Sequence, residues 1–514
     1  MAAPFHFDTT LAFSPHDPEQ AEATLRSIPA LPGVFALRGH NAAEGQQAAQ
    51  PYLTRAADLR RRVKRLLNPP ESQSKRLNLR DKVAFIDYTV TGSEFESTLT
   101  LYHAAAALFG YPEARRRLKL NTPFFLRFTA ENAYPRVYST NRLSKRALAH
   151  LYGPFPSRAA ADRYADAVLD LFKLRRCYED LAPYPEHPGC VYQEMKKCLA
   201  PCNQACTPAG AQAYAQESAT VEAFFNTHGE SLLSQIAADR DRASADLDFE
   251  RAAALHAQHQ KVKAAAALAD ELVQPIPNLR AVILQKAAQP EQQGLSPDQA
   301  AVFLLQSGRL TGPALLSTLG VRAVKEQTSV GSSLFAQPLM LQAIPLAEPA
   351  GSEEPKPQPE AVAPTESPEL RAAKLLETLT AQAVESSPAP DTALLSDHLS
   401  LLRRWYYRPE KQRTGEIFFP NPDPTPEKAW PIRRILNGAA RAALGDPAPM
   451  AETDREAATK SAKSGKTKVL HPGRPGVERV VPVYGPNSQN VDLSSQDADD
   501  RPQEPPTFTS RRSI

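Results

Sequence analysis

CYEDLAPYPEHPGCVYQEMKKCLAPCNQAC, residues 177–206, contains all five cysteines of a 514-residue chain. The amino terminus carries Asp8, Asp17 and Glu19 and no continuous apolar stretch, so it does not read as a secretory signal. Without an oxidising compartment, cysteines crowded this closely argue for a metal site over a disulfide framework. Cys177, Cys190, Cys198 and Cys202 are the first-choice ligands. Thiolates suit both an iron–sulfur cluster and tetrahedral zinc, and the Pro-rich loop after Cys177 is long enough to fold back. The spacing lacks the Cys-x-x-Cys knuckle usual for zinc. A third reading is a set of reduced structural thiols.

The blocks on either side extend the pattern. LYGPFPS (residues 151–157) and FKLRRC (172–177) lead into the cysteines, and a helix around Tyr214 and RASADLDFERAAALHAQHQKV (242–262) follow them. This ordered set resembles the middle of the UvrC family, the incision subunits of bacterial nucleotide excision repair. The resemblance implies that Cys177, Cys190, Cys198 and Cys202 are associated with a [4Fe-4S] cluster, zinc being the alternative; Cys206 is extra to the pattern. The Leu-x-Phe-Glu-x-Ala-Ala turn (Leu247, Phe249, Glu250, Ala252, Ala253) has the UVR pattern, two short helices packing as an antiparallel hairpin. In the family that hairpin pairs with the matching one of UvrB, so these five residues are the expected partner-binding element.

A formal net charge of +3 decides little, but its distribution is uneven. Arg55, Arg60, Arg61, Arg62, Lys64 and Arg65 face only Asp58, and Arg115, Arg116, Arg117 and Lys119 form a second cluster. Both suit phosphate contacts, which release counterions from DNA, and both equally suit solvated helix faces. No apolar run reaches bilayer-spanning length, so a cytoplasmic protein is expected.

The first third of the chain reads as an arm or short strand (Phe5, Phe7, Leu11, Phe13), a helix capped near Ser14 or Asp17, the strand LPGVFAL, a second strand running into a basic helix with Leu59, Val63 and Leu66 at core spacing, the strand VAFIDYTV, and a helix with a Ser93–Glu96 capping box. That order resembles the GIY-YIG nuclease domain that opens UvrC. Gly33, Val34 and Phe35 take the place of its first motif and Tyr52, Leu53 and Thr54 of its second. The same count puts Arg62 at the family's catalytic arginine and Arg55 at its lysine.

Such a nuclease needs a phenol or water at the nucleophile, a guanidinium over the developing charge and a carboxylate holding one divalent metal. Phe35 lacks the hydroxyl, Thr54 replaces a glycine, and the metal-binding glutamate falls on Leu101. Tyr52 and Arg62 are therefore the remnant catalytic pair, with Phe35 and Leu101 at lost positions. Mg²⁺ is expected only if the site is active. Glu94 and Glu96 are the nearby carboxylates, and Glu96 is explained by capping.

Farther on, LNTPFFLRF and YPRVYST read as strands, LYGPFPS as a link into the helix ADRYADAVLDLFKL, and LRAVILQKA and AVFLLQSGRLTGPALLS as strands with a turn at Gly308. Trp405, Tyr406 and Tyr407 beside Arg403, Arg404 and Arg408 read either as a base-stacking surface or, preferentially, as a core anchor with snorkelling arginines. The RNase H-like domain of the family, with its own carboxylates, has no counterpart here.

The expected architecture is α/β. It comprises an arm (1–30), a small GIY-YIG-like mixed-sheet domain (31–128), a Cys-rich helical middle (129–235), the UVR hairpin (236–270) and a β-rich segment (271–345). A disordered linker (346–368), a helical segment with the aromatic–Arg cluster (369–445), which belongs to a small C-terminal α/β region, and a disordered tail (446–514) complete it. The expected function is a UvrC-like protein binding DNA and a UvrB-type partner with an impaired nuclease site. The alternative is an active metal-dependent endonuclease using Tyr52 and Arg62.

Overall fold

A continuous buried apolar run in GVFALR and a helical period in LRRRVKRLL build the first module. The computed structural model describes residues 5–39, 50–69, 77–288, 299–321, 367–385, 391–409, 412–421, 429–444, 466–470 and 478–482. The module runs β1 (Thr9–Ala12), α1 (Pro18–Ser27), β2 (Gly33–Arg38), β3 (Tyr52–Ala56), α2 (Leu59–Leu67), β4 (Phe85–Val90), α3 (Glu94–Phe109) and α4 (Tyr111–Leu118). Its strands lie in the order β1-β4-β2-β3, antiparallel throughout. Asp17 caps α1 by accepting from the Gln20 N–H at 3.0 Å, and Asp58 caps α2 from Arg61 at 2.8 Å. Leu59, Val63 and Leu66 are buried with Phe35, Leu37 and Ile86 beneath α1 and α2. A side chain at Gly33 would come within 2.4 Å of the Thr89 carbonyl oxygen and 2.7 Å of Leu59, so the Pro-Gly break is where α2 closes on the sheet. The expected separate arm is part of this sheet, because Phe13, Leu25 and Ile28 bury in the same core.

The second module contains β5 (Phe124–Phe128), β6 (Val137–Thr140), β7 (Leu151–Phe155), α5 (Arg158–Leu171), α6 (Val191–Glu194), α7 (Pro201–Gln204), α8 (Pro208–Asn226), α9 (Glu230–Ala245), α10 (Phe249–Ala266) and β8 (Gln274–Pro275). The strand order is β6-β5-β7-β8. Two features differ from the sequence reading. LYGPFPS, read as a link, supplies β7, whose five residues are all buried and so show no alternation. Gly153 lets that strand lie against Phe125, whose ring carbon would be 2.7 Å from an added Cβ. Phe124–Phe128, assigned from sequence to the first domain, is hydrogen-bonded to β6 and β7. Phe128, Tyr152, Tyr164, Phe172, Tyr214, Phe224 and Phe225 form the core against α5 and α8.

The third module joins segments expected to be separate. It contains β9 (Arg280–Lys286), β10 (Gln299–Gln306), β11 (Arg309–Ser317), α11 (Pro368–Glu385), α12 (Thr392–Tyr406), β12 (Glu416–Phe418) and α13 (Ile432–Leu444), with strand order β11-β10-β9-β12. The β10–β11 turn is Ser307–Gly308, both at positive φ, as the glycine foretold. Both sheet faces are covered. Val282, Leu284, Val302 and Leu304 share a core with residues of α11 and α13, and Ile283, Phe303 and Leu305 share one with residues of α3 and α12.

Helix α12 is the bolt between modules. Trp405 is buried 5.1 Å from the Phe95 ring, and its indole N–H donates to the Thr414 carbonyl at 2.9 Å. Arg403 donates to Pro156 O at 2.8 Å and Tyr407 to Pro154 O at 3.0 Å. The base-stacking reading of this cluster is overturned, since its indole is inside and its arginines hold backbone and ion-pair partners.

The described residues from 5 to 444 form one compact unit. Within 449–514, β13 (Lys466–Leu470) and β14 (Glu478–Pro482) pair antiparallel in the stretch expected to be disordered, and the rest of that tail lies outside the described residues. So does the expected linker up to residue 366. Among the described residues, no helix is long and apolar enough to cross a membrane.

Candidate functional site

Tyr52 and Arg62, expected as the remnant catalytic pair, are in contact. Strand register sets Tyr52 opposite Leu37 and Phe35 opposite Thr54, and Arg62 comes from the next helix, so its guanidinium reaches the Tyr52 hydroxyl at 3.4 Å. Phe35 is fully buried with its ring 6.3 Å from that of Tyr52. Tyr52 packs on the core under α1 and α2, whereas its neighbour Leu53 packs on the core under α3, as strand alternation requires. Leu101 lines a cavity with Leu53, Thr54 and Arg55 that includes neither Tyr52 nor Arg62.

Both nearby carboxylates are engaged. Glu96 forms the Ser93 half of the foreseen capping box, its carboxylate reaching one residue farther back, to Gly92. Its N–H donates to Ser93 Oγ at 3.1 Å, and its carboxylate accepts from the Gly92 N–H at 2.8 Å. Burial pushes its pKa up to about 7, the Gly92 bond opposing and the Asp8 carboxylate adding to the rise. Glu94 accepts two bonds from Arg408, at 2.6 and 3.0 Å, and one from Arg55 at 3.0 Å. Arg408 first, with Arg55 adding to it, holds the Glu94 pKa near 2 against partial burial.

The basic residues divide into outward and inward sets. Arg61 and Arg65, one turn apart on α2, are exposed. Arg60 donates to Ile28 O at 2.6 Å, and Lys64 pairs with Glu22 at 3.1 Å. Arg55 is divided between Glu94 and Thr98 Oγ1. In the second cluster Arg115 turns inward to Asp397 at 2.7 Å, and both Arg116 and Arg117 bind Glu113, at 2.8 and 2.7 Å.

The cysteine loop is held by the second module's core. Tyr214 donates to Pro135 O at 2.7 Å and accepts from the Arg175 N–H at 3.1 Å. The Arg175 guanidinium reaches Cys177 Sγ at 3.8 Å and Glu179 O at 2.8 Å, and the Ala200 N–H reaches Cys198 Sγ at 3.3 Å. Burial drives the Cys198 thiol up to about 11; the Ala200 N–H opposes this, while Cys190, Cys177 and Cys202 add to it. Cys202 is raised by the same cause, with Cys190 and Cys177 contributing. Among the described residues, no three ligating side chains stand together as a group that could hold an ion. Thiols suit a soft metal in kind only. Arg175 escaped the sequence reading, although a guanidinium two positions before the first cysteine was the available signal.

In the hairpin, α9 and α10 meet through an Asp246–Leu247–Asp248 turn, with Leu247 at φ 61 and Asp248 capping α10 by accepting from the Arg251 N–H at 3.0 Å. Leu247 is 71% and Phe249 66% exposed. The turn's apolar residues therefore do not hold the helices together. Ile236, Ala243, Val262 and Ala265 are the buried positions of the pair. Glu250 and Ala253 are exposed and Ala252 is half-buried.

Residues 124–224 match the family model described as the UvrC/Cho excinuclease middle domain. The chain is 28% identical over 243 residues to UvrABC system protein C of Salmonella heidelberg (strain SL476), covering 47% of this chain and 38% of that protein. It is 27% identical over 246 residues to the protein of the same name from Aliivibrio salmonicida (strain LFI1238), covering 48% and 38%. For the one from Idiomarina loihiensis the values are 26% over 233 residues, covering 45% and 36%. The matched region thus spans less than two fifths of these relatives' length. No solved structure matches the chain with significance.

Proposed function

We propose that this chain, a member of the UvrC family, is a DNA- and partner-binding component of nucleotide excision repair whose GIY-YIG-like module has kept its scaffold and lost its chemistry. One observation carries the reading. The two carboxylates near the position of the metal ligand are committed elsewhere, Glu94 between two arginines and Glu96 to a buried helix cap. Neither of these carboxylates is then free to hold a divalent ion beside Arg62. Arg62 with Tyr52 then offers a phosphate only a guanidinium and a phenol, which suffices to bind and not to activate a nucleophile. Arg61 and Arg65, exposed on the same helix, extend this to a phosphate-tracking face.

The exposed Leu247–Phe249 tip supports the partner reading. A leucine and a phenylalanine both held in solvent are the anchors that an interface buries, here the matching hairpin of a UvrB-type protein. Cys177, Cys190, Cys198 and Cys202 would hold a [4Fe-4S] cluster, or zinc in its place. Such a centre supplies a crosslink of the loop to the core, folding and metal binding being one equilibrium. Arg175 and the Ala200 N–H would then stabilise thiolate charge through their contacts to sulfur.

The rival reading, a live metal-dependent nuclease, is favoured by the Tyr52–Arg62 contact. Incubation of the purified chain with UvrB-bound damaged duplex and Mg²⁺ or Mn²⁺ separates the two. Salt-sensitive binding without nicking is expected. Nicking that disappears in Arg62→Ala overturns the reading, and absence of duplex binding at low salt overturns it as well.

A further inference from the structure

Three arginines that the sequence scatters over 350 positions meet at one cavity of about 310 Å³, within the range of small-ligand pockets. β3 gives Leu53, Thr54 and Arg55, α3 gives Thr98, Leu101 and Ala105, α4 gives Arg117 and Leu118, and α12 gives Arg404. Among the described residues, no carboxylate lines it.

The charges around the cavity do not cancel. Arg55 shares Glu94 with Arg408, and Arg117 shares Glu113 with Arg116, so each of these groups carries one net positive charge. Arg404 donates to the carbonyls of Leu118 and Lys119, neutral acceptors that leave its charge in place, and Arg403 adds further positive charge beside it. Those bonds also fix the guanidinium, so little rotamer freedom remains to be lost on binding. Arg117 is likewise held, by Glu113, by Gln50 at 3.2 Å and over the Phe109 ring at 3.8 Å. The hydroxyl-bearing Thr54 and Thr98 complete a polar rim. Leu53, Leu101, Ala105 and Leu118 form an apolar wall.

We propose that this cavity binds a phosphate ester with a flat apolar body, a nucleotide, its phosphate among Arg55, Arg117 and Arg404 and its base or sugar against the leucines. The inference rests on the reading of the protein as one that works on nucleic acid, and it deepens that reading. The seat is distinct from the Tyr52–Arg62 pair. It is composite, requiring the first module and α12 together. The nucleotide is either free or part of a strand, and the two sources share this chemistry.

The test compares Leu101→Glu with Leu101→Gln in the full chain, the two differing in charge at nearly equal size. Titration calorimetry with inorganic phosphate and deoxyadenosine monophosphate, and anisotropy with a short 5′-phosphorylated single strand, supply the readouts. A loss of about tenfold or more in Leu101→Glu, retained binding in Leu101→Gln and unchanged melting of both are expected. Loss for the mononucleotide identifies a free nucleotide, and loss for the strand alone identifies a nucleic-acid terminus. Equal binding by both variants, or no binding of any probe by the natural chain, overturns the proposal. Should Leu101→Glu not fold, Arg117→Gln replaces it, with a several-fold loss expected and unchanged binding overturning the proposal. A chain that binds duplex DNA yet fails these tests loses the seat and keeps the excision-repair reading.

Discussion

Arg408 grips Glu94 with both terminal guanidinium nitrogens, at 2.6 and 3.0 Å, across 314 positions of sequence. The pair ties the end of α12 to the first turn of α3 and removes the carboxylate that sequence left as a possible metal ligand. The depressed Glu94 pKa makes this contribution present above the ordinary carboxylate range and lost as pH falls toward 2. The Glu94 side chain is nearly half exposed, so solvent screening reduces the effect, and Glu94→Gln is expected to cost about 1 kcal/mol in chemical denaturation. It should not change any metal-dependent activity.

Glu96 gives the opposite pH dependence. Its folded pKa is raised to about 7, so the folded state holds the proton more tightly than the unfolded chain does. The stabilisation is complete below the ordinary glutamate pKa and is lost as pH rises through 7, a change on the order of 2–3 kcal/mol. Urea midpoints measured from pH 4.5 to 8 should fall over that window in the natural chain and flatten in Glu96→Gln. An unchanged slope in that variant refutes the assignment.

Phe249→Ala separates interface from core. At 66% exposure, the ring contributes little to the isolated chain, and a stability change within about 0.5 kcal/mol is expected. Binding to a UvrB-type hairpin should weaken by on the order of 2–3 kcal/mol, read by calorimetry. Equal affinity, or a large loss of stability, would return the hairpin to a purely structural role.

Anaerobic purification with iron and acid-labile sulfide analysis tests the thiols. Cys198→Ser should abolish metal retention, since it is one of the four expected ligands, whereas Cys206→Ser should leave it intact. Stoichiometric zinc without sulfide changes the metal and keeps the ligands. Metal-free natural protein rejects both centres.

The phosphate-tracking face predicts how affinity scales with salt. Arg61→Ala together with Arg65→Ala should flatten the dependence of log affinity on log salt by about 2, each lost phosphate contact contributing about 0.9. Arg115→Ala should leave that slope alone and lower stability, because its guanidinium is bonded to the buried Asp397. A slope unchanged in the first variant moves the DNA face elsewhere.

Local patterns were legible where one face meets water. Leu59, Val63 and Leu66, the Ser93–Glu96 box and the Gly308 turn follow from periodicity and capping chemistry, and the structure has them in place. β7 was not legible because Gly153 and Pro154 in its middle read as a turn signal, whereas the equally buried β2 carries no such break. The fate of Arg115 and Arg404 was hidden for another reason. A guanidinium looks the same in sequence whether it faces solvent or an aspartate 282 positions away, and only tertiary contact distinguishes them. For the same reason, exposure at Leu247 and Phe249 could not be read from an apolar turn.

The packing of Trp405 on Phe95 sets a timetable for synthesis. When α3 leaves the ribosome, the helix that covers its apolar flank has not been made, and about 300 further residues must be translated first. At roughly 5–20 residues per second, that wait is about 15–60 s. During it Phe95, Leu99 and Tyr102, buried in the finished protein, lack their lid. Nascent chains arrested before residue 391 should therefore be chaperone clients, and those released after residue 421 should not.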